Sequence, residues 1–136
     1  MVSDRRFIAS SNPSKHGPTI LVLEDEGFVR QAICKTLLAA GYGTLAARTA
    51  IQARNILSGS TNPVSLLLID LILPGENGFS FACELKMRRP EIKIIFFSGY
   101  TDSAIAKTKM DQSTAAYLAK PFAAKLLLRE VTHALE

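Results

Sequence analysis

The stretch Val64–Phe79 restricts the fold of this chain more than any other. Leu66, Leu67, Leu68 and Ile69 form an unbroken apolar run, which suits a strand buried on both faces in the middle of a parallel sheet. The run ends on a carboxylate, Asp70, and Pro74, Gly75 and Gly78 then make a turn-rich link to a helical pattern that begins at Phe79. Parallel sheets bind and react at the carboxyl ends of their strands, so Asp70 stands where chemistry is expected. An isolated acid there is equally consistent with a plain strand end or a turn cap.

The rest of the chain repeats the alternation. Thr19–Leu23 is apolar and β-branched, reads as the first strand, and ends on Glu24, Asp25 and Glu26. Val29, Ile33 and Leu37, spaced by four, predict the first helix, with Gly41 as its stop. A short second strand is expected over residues 42–46. Thr49 is placed to cap a second helix that runs to about Leu57 and carries Ile51, Ile56 and Leu57. Phe79, Ala82, Leu85 and Lys86 begin the face of a third helix, which Pro90 stops. Ile92–Phe97 is the fourth strand, ended by Ser98. A fourth helix with a thin apolar face is expected around residues 105–109. Residues 115–119 are the fifth strand, and a last helix from about Ala123 carries Leu127, Val131 and Leu135. Five alternations predict a three-layer α/β sandwich: a five-stranded parallel sheet with helices on both faces.

With 136 residues the chain has room for one domain, read here as residues 19–136 behind a disordered leader over residues 1–18. No apolar run reaches the roughly 18 residues of a membrane span, and the leader lacks the apolar segment of a signal peptide. Cys34 and Cys83 lie in helical patterns without metal-ligand spacing and read as reduced thiols of a cytoplasmic protein. The net charge of +4 is spread out: Arg5, Arg6 and Lys15 against Asp4 put half of it in the leader. Lys86, Arg88 and Arg89 cluster at one helix end without interleaved aromatics, a solvated, dipole-matched end rather than a nucleic-acid surface.

Four strand ends carry polar groups: Glu24, Asp25 and Glu26, then Asp70, Ser98 and Lys120. Parallel strands bring these ends to one edge of the sheet. Acids gathered there repel one another unless a cation joins them. Hard carboxylate oxygens suit Mg2+ or Mn2+. A lysine supplies a point charge for an anion, a serine hydroxyl a donor, and a carboxylate can attack phosphorus. Together they match the needs of a transferring phosphoryl group.

On these residues the chain resembles the receiver domains of two-component response regulators. The motifs are Leu23-Glu24-Asp25-Glu26, the run from Leu68 to Gly78, Phe97-Ser98-Gly99-Tyr100, and Tyr117-Leu118-Ala119-Lys120-Pro121-Phe122. All four occur in order over residues 19–135. The resemblance implies a flavodoxin-like fold with strand order 2-1-3-4-5 and five helices. It implies Asp70 as phosphoacceptor, taking a phosphoryl group from a histidine kinase or a histidine phosphotransfer protein. Asp25 and Asp70 would bind Mg2+, with Glu24 helping directly or through water and the Ile72 backbone carbonyl as a further ligand. Lys120 and Ser98 would contact the phosphoryl oxygens. Tyr117 would be the switch that turns inward as Ser98 moves, and Lys120–Pro121 would be cis. Ile72 and Tyr100 would flank the path of attacking water; both are bulky, so slow self-dephosphorylation is expected. The segments around residues 101–109, the fifth strand and the last helix would form the output face for a downstream protein, with a phosphorylation-dependent homodimer as one form of output. The wording around residues 97–102 and 118–122 looks like receivers attached to hybrid sensor kinases.

The sequence also departs from the family's common pattern. Gly27 stands where proline is frequent, and Glu24 where aspartate is frequent. Residues 112–116 lack the usual Gly-Ala before the last strand. The alternative reading is a receiver-like interaction module without phosphorylation, against which the full polar set argues. An Asp-nucleophile phosphatase needs a second acid at position 72, where isoleucine stands, and the Gly-x-x-x-x-Gly-Lys loop of nucleotide-binding proteins is missing.

Overall fold

A computed structural model of the protein describes residues 17–59, 63–99 and 114–136. In chain order the elements are β1 (Thr19–Leu23), α1 (Gly27–Ala39), β2 (Gly43–Ala47), α2 (Ala50–Gly59), β3 (Val64–Asp70), β4 (Ile72–Leu73), β5 (Glu76–Asn77), α3 (Gly78–Arg88), β6 (Lys93–Gly99), β7 (Thr114–Lys120) and α4 (Ala124–Leu135). The expected leader lies almost wholly outside the described residues, as do Tyr100 and the expected helix around residues 105–109.

The main sheet has order β2-β1-β3-β6-β7, and every neighbouring pair is parallel. This is the expected 2-1-3-4-5 order, with four helices among the described residues. Side chains of a strand alternate between faces, so β1 and β3 feed two separate cores. Leu21, Leu23, Leu67 and Ile69 pack on one side with Ala50 and Ala53 of α2 and Phe81, Ala82 and Leu85 of α3. Ile20, Val22, Leu66 and Leu68 pack on the other with Ile33 and Leu37 of α1 and Leu127 and Val131 of α4. The central run is thus buried on both faces, as its unbroken apolar character requires.

The helix ends follow local chemistry. Gly41, with φ of +99°, follows α1; its N–H bonds to Leu38 O at 3.0 Å and that of Tyr42 to Leu37 O at 3.1 Å. Those two bonds satisfy carbonyls that the helix leaves open. Thr49 Oγ1 accepts from the Gln52 N–H at 3.1 Å and caps α2, as expected. The apolar face of α2 differs from expectation: Ile51 is 68% exposed, while Ala50 and Ala53 are buried. Small side chains let this helix lie close to the sheet. In α3 the buried aromatic is Phe81, with Phe79 partly buried against the same core. Asn77 Oδ1 caps α3 by accepting from Phe79 and Ser80 N–H at 2.8 and 3.1 Å. The small β4–β5 hairpin had no sequence signal beyond its Pro74–Gly75 turn.

Candidate functional site

β1, β3 and β7 end on the same edge of the sheet because all three run parallel. Glu24 and Asp25 follow β1 directly, Asp70 is the last residue of β3, and Lys120 is the last residue of β7. Glu24 and Asp70 are buried, at 1% and 6% exposure, while Asp25 reaches solvent. One carboxylate oxygen from each of the three lies within 4.8 Å of the others. Ligand oxygens on one small divalent cation sit about 3–4 Å apart, so the cluster fits a single Mg2+ after a shift of about 1 Å. Glu24, Asp25, Asp70 and Lys120 line an open cleft of about 570 Å3, with Ile72 and Pro74 on its rim. That leaves room for a hydrated ion and a phosphoryl group.

Lys120 bridges the two buried acids. Its ammonium donates to Glu24 Oε1 at 2.7 Å and to Asp70 Oδ2 at 2.8 Å. The Phe97 ring lies 5.1 Å from the same nitrogen, a cation–π contact on its apolar side. Burial pushes the Glu24 carboxyl up, and the charge of Asp70 adds to this; the bonds from Lys120 and the Glu26 N–H oppose it without cancelling it. Burial pulls the Lys120 ammonium down, but its bonds to Asp70 and Glu24 outweigh that and hold it above its usual range. Lys120–Pro121 is cis.

The other acceptor atoms are also held. Asp70 Oδ1 accepts from the Ile72 N–H at 2.9 Å, and Glu24 Oε2 from the Glu26 N–H at 3.0 Å. Ile72 itself is 59% exposed. Glu26 precedes α1 without a side-chain cap, so its acid is not what starts the helix. Ser98 is fully buried, and its hydroxyl lies 2.8 Å from that of half-buried Tyr117. The two expected switch residues are therefore already in contact. One contributor escaped the sequence reading. Arg30, in the first turn of α1, donates to the backbone carbonyl of Glu24 at 2.9 Å and contacts that of Asp25 at 3.4 Å. A cation one turn into a helix that follows three acids was the available signal. Neither Cys34 nor Cys83 is in a disulfide, and burial pushes the Cys34 thiol up to about 11. No described helix is long and apolar enough to cross a membrane.

Comparison with known proteins agrees with this geometry. The family model "Response regulator receiver domain" matches residues 20–132. The chain is 32% identical to "Sensor kinase CckA" of Brucella abortus (strain 2308) over 118 residues, which are 87% of this chain and 12% of that protein. It is 30% identical to "Response regulator receiver protein CpdR" of the same strain, over 82% of this chain and 92% of that protein. The solved structure of response regulator protein TrrA from Thermotoga maritima, in complex with Mg(2+)-BeF, superposes with a TM-score of 0.75. The identity is 26%, over 87% of this chain and 99% of that one. The chain thus spans a small part of one curated relative and nearly all of another. Receiver domains bind Mg2+ at an acidic pocket, and the Glu24, Asp25 and Asp70 cluster is such a pocket. They exchange phosphoryl groups with histidine kinases and phosphotransfer proteins, and a non-phosphorylating module is not favoured. With its sheet order, its acidic strand ends and the family match over residues 20–132, the chain belongs to the response regulator receiver domains and is a phosphoacceptor switch of two-component signalling.

Proposed function

We propose that Asp70 is the residue that receives the phosphoryl group. The observation that carries this is the Lys120 ammonium bridging Asp70 and Glu24 at 2.8 and 2.7 Å beside Asp25. A carboxylate oxygen of Asp70 attacks phosphorus of a phosphohistidine on a kinase or phosphotransfer protein. The new P–O bond forms as the P–N bond breaks, and the imidazole leaves and takes up a proton. Asp25, Asp70 and the Ile72 carbonyl would hold Mg2+, with Glu24 in support; when bound, the ion would offset charge on the phosphoryl oxygens. Lys120 then moves its ammonium from the acids onto a phosphoryl oxygen. Ser98 leaves Tyr117 to donate to another, which frees the Tyr117 ring to change its seat. β7 and α4 carry that change to a downstream protein or to a second copy of the chain.

The test is intact-mass analysis after incubation with acetyl phosphate, with and without Mg2+, on the wild type and Asp70→Asn. The expected result is a gain of one phosphoryl group that requires Mg2+ and is absent from the variant. Gain on Asp70→Asn would move the acceptor elsewhere. Followed in time, the adduct should persist for minutes or longer, because the bulky Ile72 lines the cleft beside Asp70; loss within seconds would remove that role from it.

A further inference from the structure

We infer that Arg54, outside the acidic cleft, is a positioning residue that holds the wall of that cleft in place. Its guanidinium grips two carboxylates at once. Nη1 and Nη2 meet Glu76 Oε1 and Oε2 at 3.2 and 2.7 Å. Nε and Nη2 meet Glu84 Oε2 and Oε1 at 3.3 and 3.0 Å. The Phe81 ring supports the same group from 5.0 Å. A planar fork engaged on two edges and stacked on a ring has little freedom left, which a lysine in its place would retain.

What Arg54 grips is specific. Glu76 lies in β5, and β5 pairs with β4 through Leu73↔Glu76 and Ile72↔Asn77. β4 is the wall of the cleft: Ile72, Leu73 and Pro74 line it, and the Ile72 N–H holds Asp70 Oδ1 at 2.9 Å. The base of the hairpin is pinned by the Gly78 N–H to Leu71 O at 2.9 Å. Its far strand is held to α2 by Arg54. The same arginine ties α2 to α3 through Glu84. Two partners therefore separate two roles: Glu76 carries the grip on the cleft wall, and Glu84 a helix-to-helix tie.

The inference rests on the reading of the cleft as a Mg2+ site, and its test separates the two. Arg54→Met, Glu76→Gln, Glu84→Gln and the Arg54→Met/Glu76→Gln pair are compared with wild type. Amide exchange over residues 72–77 is measured in metal-free protein, and Mg2+ affinity by calorimetry below every variant's unfolding temperature. Arg54→Met and Glu76→Gln should each speed hairpin exchange and weaken Mg2+ binding by about threefold to tenfold, at or below the low end of what losing an outer support costs a metal site. The double variant should be no worse than either single one. Glu84→Gln should lower thermal stability and leave both readouts at wild-type values. Wild-type exchange and affinity in Arg54→Met would overturn the inference, as would equal losses from Glu84→Gln. If the wild type itself binds no Mg2+, the metal reading fails, and hairpin exchange still decides whether Arg54 positions the wall.

Discussion

Residue 78 must be glycine for a steric reason. A Cβ there would collide with the Asp70 backbone carbonyl and stand 3.0 Å from Leu71 Cα and O. These are backbone atoms at the end of β3 and cannot swing away. Gly78→Ala should therefore cost about 3 kcal/mol, the upper end of the usual range for an overpacked core position, read from the urea midpoint. Because the displaced backbone carries Asp70, the same variant should accept phosphoryl groups from acetyl phosphate more slowly at equal folded fraction. Asp70 and Lys120 were legible in the sequence because each ends an apolar run with a charge. The Ser98–Tyr117 hydrogen bond was not: it joins neighbouring strands across 19 residues, and its length of 2.8 Å depends on register. The contact of Arg30 was less legible: its acceptors are backbone carbonyls, so its place one turn after the three acids was the sole signal.

Among the elements, β3, α1 and α4 match their sequence patterns closely, since each presents a single apolar stripe or run to the core. α2 and α3 were read less well: in α2 the small Ala50 and Ala53 face the core while Ile51 is exposed, and in α3 Phe81 is the buried aromatic and Phe79 only partly buried. The ion pairs that tie α2 to β5 and to α3 span 22 and 30 residues, so periodicity cannot reveal them. They do have a pH signature. The bond from Arg54 holds the exposed Glu84 carboxyl below its ordinary value of 4.5. A carboxylate with a lowered folded pKa contributes stability that is complete above the unfolded value and is lost as pH falls through the folded one. Melting temperatures of wild type and Arg54→Met should therefore differ near neutral pH and converge as pH falls through and below 4.5. A constant difference down to pH ~2 would mean that Arg54 acts through its contact with Phe81 instead.

For the whole molecule, the acidic edge links ligand to stability. Mg2+ that binds only the folded chain should stabilise it by about 2.7 kcal/mol at a hundred times its dissociation constant, seen as a rise in melting temperature that chelation reverses. Asp25→Asn should remove most of that rise while leaving the metal-free melting temperature within a few degrees, because Asp25 is exposed and outside the Lys120 bridge. The bridge has one more implication, for the order in which the molecule comes together. Lys120 lies 96 residues from Glu24 and 50 from Asp70 along the chain. While the polypeptide emerges, both acids exist long before their counter-ion does. An unfinished chain can pair β1 with β3, but it then buries negative charge with nothing to answer it. Docking of β7 eases that conflict, so the edge that does the signalling also reports that this strand is in place.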